Sequence, residues 1–185
     1  MPPKKKWKEP SPQSSSEATD NTQQLSLEEL YTKALKVLAR RAFSTRELEQ
    51  KLQHACSDSP TVERVIERLK TSGYLDDRKF AEAFIQSRLR HKAQGRSRIE
   101  RDLRCRGLNP RLIREELEKA YPAEAETEPL QNALERRLRS LAPPMDAKKV
   151  SRLYNHLLRR GFPGEAIRQE LRRRLKMELD LDQVE

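Results

Sequence analysis

The sequence predicts an all-α protein built of tandem three-helix repeats, about nine helices in three units, elongated and led by a disordered tail. Charged residues make up 37% of the chain against 35% hydrophobic and only 5% aromatic, too little apolar material for one thick core. Beyond the first two dozen residues, Leu, Ala, Glu and Arg recur with helical spacing, and no alternating β-branched run or Asn-Gly turn marks a sheet. The breaks between these helical stretches also repeat at a nearly constant interval, as expected of stacked repeats.

Residues 1–24 hold Trp7 as their one large apolar side chain, among Pro, Ser, Gln and Thr, with Lys4, Lys5, Lys6 and Lys8 at the tip. Such a segment cannot offset the entropy of ordering, so residues 1–25 are expected to form a disordered basic and polar tail. Ser26 then opens the first helix, with Leu30 on its inner face. Asp76 with Phe80, and Thr127 with Leu130 and Leu134, open the first helices of the next two units.

Second helices begin at Ser44, Gly95 and Asp146, spaced 51 residues apart. At four and eight residues beyond each stand Leu48 and Leu52, Ile99 and Leu103, and Val150 and Tyr154, offsets that share one helix face. Third helices are expected after Thr61, Asn109 and Pro163. Ser, Thr, Asp and Asn suit helix starts because their side-chain oxygens accept from the free N–H groups of the first turn, and Ser44 with Glu47 forms a capping box. Gly73, Gly107 and Gly161 stand where the preceding helix must stop. The resulting units are 26–73, 74–122 and 127–177, followed by an acidic tail, 178–185, with Glu178, Asp180, Asp182 and Glu185.

The pair Asp76-Asp77 invites an acid-base or metal reading. Its context, after Gly73 and just before a helix burying Phe80, Ala81 and Phe84, is that of a helix cap. Ser44, Asp76, Asp77 and Asn109 are therefore assigned as structural caps. No phosphate loop, zincin motif or nucleophile elbow occurs, so no enzyme is expected. Cys56 and Cys105 are too few for a disulfide framework and do not combine with His54, His91 or His156 in a metal-ligand pattern. The chain is read as having no metal and no cofactor. Without a long apolar run or a signal segment, it is expected in the cytoplasm.

Lys and Arg outnumber Asp and Glu by 39 to 29, for a net charge of +10, which suits a polyanionic partner. The excess is clustered. Between Arg88 and Arg114 lie ten basic residues and only two acids, Glu100 and Asp102. Arg88, Arg90, Lys92, Arg96, Arg98, Arg101 and Arg104 form the candidate binding ridge of the middle unit. Arg159, Arg160, Arg172 and Arg173 continue it in the third. A ridge of this kind serves DNA phosphates or an acidic protein surface equally well. Phe80, Phe84 and Phe162 fall at core offsets rather than forming a base-stacking platform.

The stretch from Gly73 to Arg88, GYLDDRKFAEAFIQSR, and that from Gly95 to Leu108, GRSRIERDLRCRGL, resemble the RecX family, regulators of the RecA recombinase. Fainter likeness extends over residues 34–52 and 150–162. The resemblance implies tandem three-helix repeats and binding to RecA and its filament on single-stranded DNA. It also implies inhibition of RecA's ATPase, strand-exchange and co-protease activities, and so a role in recombination and the SOS response. A monomer with weak direct DNA binding, no membrane association and no chemistry of its own meets those needs. The competing reading is an independent DNA-binding protein, since residues 149–175 place two helices about a glycine turn in the manner of a helix-turn-helix.

Overall fold

The computed structural model describes residues 25–141 and 145–175. The readings of a disordered tail over residues 1–25, apart from Leu25 at its end, and of an acidic tail over 178–185 lie outside them. Nine α-helices and no strand occur among the described residues. In the first unit α1 (Leu27–Leu38) and α2 (Thr45–Gln53) both pack on α3 (Ser59–Thr71). The middle unit repeats this with α4 (Asp77–Ser87), α5 (Arg96–Cys105) and α6 (Pro110–Ala120). The third comprises α7 (Thr127–Leu138), α8 (Ala147–Arg159) and α9 (Gly164–Leu175), each packed on the other two.

The helices start where short polar side chains can close the first turn. Ser26 and Ser44 form complete capping boxes with Glu29 and Glu47. Asp76 accepts from the N–H groups of Arg78 and Lys79 at 2.8 and 3.1 Å, Asn109 from Arg111 at 2.8 Å and Asp146 from Lys149 at 2.7 Å. Each such cap stabilises its helix by about 1 kcal/mol. Two starts differ from expectation. α3 begins at an Asp58 cap, with Ser59 and Pro60 as its first residues, because proline already has helical φ and lacks the N–H that a first turn leaves free. Helix α7 grows out of a 3-10 turn, Ala123–Glu126, so Thr127 is its first residue rather than its cap. Helix α4 also continues into a π-turn, Arg88–Lys92, which has no counterpart in the sequence pattern.

Each unit has its own core. Leu30, Leu48, Leu52, Val65 and Leu69 centre the first, and Phe80, Ile85, Ile99, Leu103, Ile113 and Leu117 the second. Leu134, Val150, Leu153, Leu157, Ile167 and Leu171 centre the third. Every buried leucine of this kind contributes roughly 1.5–3 kcal/mol over an exposed one. Two residues lie across the junctions: Leu75 packs into the first core and Ala93, from the middle unit, into the third. Units of about 50 residues are marginal alone, so the joints between them matter to the stability of the whole.

Candidate functional site

The joints bring the second helices of successive units head to tail. At the first joint the N-terminus of α2 meets the C-terminus of α5: Ser44 Oγ donates to the Arg106 carbonyl at 2.6 Å. The Thr45 N–H donates to Asp77 Oδ1 at 2.8 Å. Asp76 therefore caps its own helix, whereas Asp77 caps the second helix of the preceding unit. Arg106 reaches back to Glu47 at 2.5 Å while lying 5.0 Å from the centre of the Phe84 ring. Arg41 approaches the other oxygen of Glu47 at 3.5 Å. Positive and negative groups thus alternate through this joint.

The second joint uses the equivalent carbonyl. The N–H of Gly95, at the start of α5, donates to the carbonyl of Arg160, at the end of α8, at 2.8 Å. Backbone meets backbone here, and a Cβ on Gly95 would lie 2.3 Å from the Gly161 oxygen. That close approach is why a glycine replaces the serine of the first unit. Arg160 then donates to the carbonyls of Lys92 and Ala93 at 2.5 and 3.2 Å, and Arg136 to that of His91 at 3.2 Å. Ala93 takes the left-handed conformation, φ 43° and ψ 62°, which places its methyl group in the third core.

The cations expected to form the ridge divide into two sets. Four engage acids of the protein itself: Arg96 pairs with Glu118 at 2.8 Å, Arg98 with Asp102 at 3.0 Å, Arg104 with Glu100 at 2.5 Å and Arg173 with Glu170 at 2.6 Å. Arg96 also donates to the Tyr121 carbonyl at 3.0 Å. The glutamate and aspartate partners turn much of the α5 ridge into a mixed-sign surface. Arg88 lies over the Phe84 ring at 4.4 Å. By contrast Arg90, Lys92, Arg101, Arg159 and Arg172 are exposed, and none of them forms an ion pair with another described residue. Arg160 meets the backbone of Lys92 at the second joint, although 68 residues separate them in sequence.

Burial lowers the pKa of His156 from its ordinary value, with the charges of Arg160, Arg137 and Arg159 adding to the effect. Arg160 is shifted down too, first by burial and then by Arg136. Sequence reasoning counted Arg136 and Arg137 in the basic excess of the third unit but left them, and His156, out of the candidate contacts. The signal available to it was an Arg-Arg pair in the last turn of α7 and a histidine one turn before Arg160. It also overlooked Glu116 and Glu170, the buried carboxylates of α6 and α9. Arg78 of α4 pairs with Glu116, and Arg68 of α3 with Glu28 of α1 at 2.6 Å. The brace between first and third helices is therefore present in both units with its charges exchanged.

Cys56 is buried and Cys105 exposed. No group of three or more His, Cys, Asp and Glu side chains that could hold a metal ion occurs among the described residues. Nor does any helix among them have the length and apolarity to cross a membrane.

Models of the first, second and third three-helix domains of RecX match residues 31–69, 76–117 and 124–171, in that order. The regulatory protein RecX of Halorhodospira halophila is 38% identical over 135 residues, covering 73% of this chain and 81% of that protein. The regulatory protein RecX of Chlorobaculum tepidum is 35% identical over 139 residues, 75% of this chain and 84% of its own length. The crystal structure of RecX from Lactobacillus salivarius superposes with a TM-score of 0.68 over 82% of this chain and 97% of that one. At 18% identity that likeness speaks for the fold alone. Three consecutive domain matches, and relatives aligned over most of both chains, make this protein a member of the RecX family of regulatory proteins.

Proposed function

We propose that the protein is a negative modulator of RecA that binds the RecA filament on single-stranded DNA and inhibits its ATPase, strand-exchange and co-protease activities. The observation that carries this reading is the run of three RecX domains from residue 31 to residue 171. The excess of basic over acidic residues, 39 to 29, is consistent with a polyanionic target. Inhibition by such a protein needs no chemistry of its own. A ligand that binds one state of a filament better than another shifts the population toward it, by no more than its difference in affinity allows. Holding RecA in a state unable to cycle through ATP hydrolysis suffices. On this reading Arg90, Arg101 and Arg172 offer charge directly, whereas Arg96, Arg98, Arg104 and Arg173 first have to exchange an internal carboxylate for the partner's.

The test is the single-stranded-DNA-dependent ATPase of RecA with this protein added in modest excess. The rate is expected to fall steeply, and an unchanged rate refutes the proposal. Tight binding to one duplex sequence over others would instead point to an independent DNA-binding protein.

A further inference from the structure

The middle unit holds its two neighbours in different ways. Helix α7 of the third unit is tied to it near both ends. The chain runs from Tyr121 through the 3-10 turn, Ala123–Glu126, into the start of α7, and in its last turn Arg136 donates to the His91 carbonyl at 3.2 Å. Those two attachments lie about 15 Å apart along the helix. Ala93 in the third core and the bond from Gly95 to the Arg160 carbonyl add a further hold, at the end of α8. Attachments that do not share one line fix orientation as well as position.

The first unit is attached at two places. One is the chain crossing, where Leu75 is seated in the first core. The other is the start of α2, where Ser44 and Glu47 bond Arg106 and Thr45 bonds Asp77. Beyond Asp77, α4 makes no hydrogen bond or ion pair with the first unit among the described residues. A cleft of about 610 Å³ opens there instead, between α4 and the end of α1. Leu35, Leu38 and Phe43 line its first-unit wall, and Tyr74, Phe80 and Ala83 the other. Tyr74 is 61% exposed, and a Cβ added to Gly73 beside it would meet no atom within 4 Å. Two apolar walls therefore face each other across unfilled space.

Two attachments define a line and leave rotation about it free. Turning about the line from Leu75 to the start of α2 keeps the bonds of the joint and swings α4 toward α1 or away from it. The inward swing brings the apolar walls together and takes Tyr74 out of water, which favours it. We propose that the first joint is a hinge: the first unit closes on α4 over this cleft, while the middle and third units move as one body. The open and closed forms differ in the angle between the first unit and the rest of the chain. A partner that touches the first and middle units together binds one form better and so shifts the population toward it. The hinge follows from the attachments and the cleft, and stands apart from the RecA-filament reading.

The experiment measures distance distributions between paired spin labels on the full chain by pulsed electron paramagnetic resonance. The exposed thiol is removed by Cys105→Ser, and the buried Cys56 stays. One pair, Lys36→Cys with Glu82→Cys, spans the cleft from α1 to α4. The other, Arg114→Cys with Asn155→Cys, spans the second joint from α6 to α8. All four positions are exposed. The first pair is expected to show two populations, the shorter being the closed form, and the second pair a single narrow one. Tyr74→Asp is expected to reduce the shorter population at least about tenfold, because closure would then bury a charge, whereas Tyr74→Phe should keep it. An unaltered distribution for the second pair shows that the Tyr74→Asp protein is still folded. A single narrow distribution for both pairs overturns the proposal, and so does equal breadth in both. A shorter population that survives Tyr74→Asp in the folded protein overturns closure over the apolar walls.

Discussion

The two joints solve one geometric problem with different chemistry. Each docks the start of a second helix on the glycine turn that ends the next unit's second helix, and each satisfies the carbonyl at that turn, Arg106 in one and Arg160 in the other. At the first joint a serine hydroxyl does this, an aspartate caps the neighbouring unit and charges alternate. At the second, glycine meets glycine, Ala93 sits in the left-handed region, and Gln94 Oε1 and the Tyr121 hydroxyl are buried without a hydrogen-bond partner among the described residues. Side chains can adjust to small changes in spacing, whereas two backbones in contact cannot. The first joint is therefore the tolerant one, and the second is held more tightly in its geometry yet leaves more polar groups unsatisfied.

Adding a single methyl group should separate them most. An alanine Cβ at Gly161, φ +89°, would meet the backbone N of Arg98 at 2.3 Å, whereas at Gly107, φ +77°, it would meet the Arg46 side chain, Cδ at 2.1 Å and Cβ at 2.7 Å. Both variants incur the left-handed penalty of about 1–2 kcal/mol; at Gly107 the Arg46 Cγ and Cδ can rotate away, and only the Cβ contact has to be met by a shift of backbone. Gly161→Ala adds overpacking of about 1–3 kcal/mol. It is expected to lose about 2–5 kcal/mol in urea denaturation, with the third unit unfolding in a separate, earlier transition. Gly107→Ala should lose less, about 1–3 kcal/mol, and keep one transition. Equal losses in the two proteins would erase the distinction between the joints.

The next largest effect concerns the serine of the first joint. Ser26 and Ser44 make the same capping box, but Ser26 is exposed, whereas Ser44 is 1% exposed and also bonds the Arg106 carbonyl. Ser26→Ala should cost about 1 kcal/mol, as caps generally do. Ser44→Ala should cost about 2 kcal/mol, because it also leaves a part-buried carbonyl without its donor. The difference, read from paired denaturation midpoints, isolates what the inter-unit hydrogen bond contributes. No difference would mean that the Arg106 carbonyl finds another donor.

These contrasts also mark what could be read from the chain. The starts at Ser44, Gly95 and Asp146 were legible because a cap and the apolar positions four and eight residues later are local features, and all three are the observed N-caps. The RecX resemblance was legible for the same reason, since its residues lie within two short stretches. The ownership of charges was not. Asp77 bonds Thr45, 32 residues away, and Arg106 pairs with Glu47, 59 residues away. Nothing within one helix distinguishes a cation with such a partner from one facing solvent. The π-turn escaped notice because its cause is also distant: it delivers Ala93 into the core of the following unit.

The smallest expected effect is the most diagnostic in sign. Tyr121 ends α6: its N–H donates to the Leu117 carbonyl at 2.8 Å and its own carbonyl accepts from Arg96. Its ring is 1% exposed in the middle core. Burial pushes the hydroxyl's pKa up, and the charge of Glu126 adds to the shift. Tyr121→Phe keeps the ring and both backbone bonds and removes only a hydroxyl that has no hydrogen-bond partner among the described residues. Deleting a polar group strands another only if the two were bonded; here it relieves a desolvation cost instead. The variant is expected to be more stable than the parent by about 0.5–1 kcal/mol, measured by denaturation at constant pH. A loss of similar size would mean that the hydroxyl is hydrogen-bonded in solution.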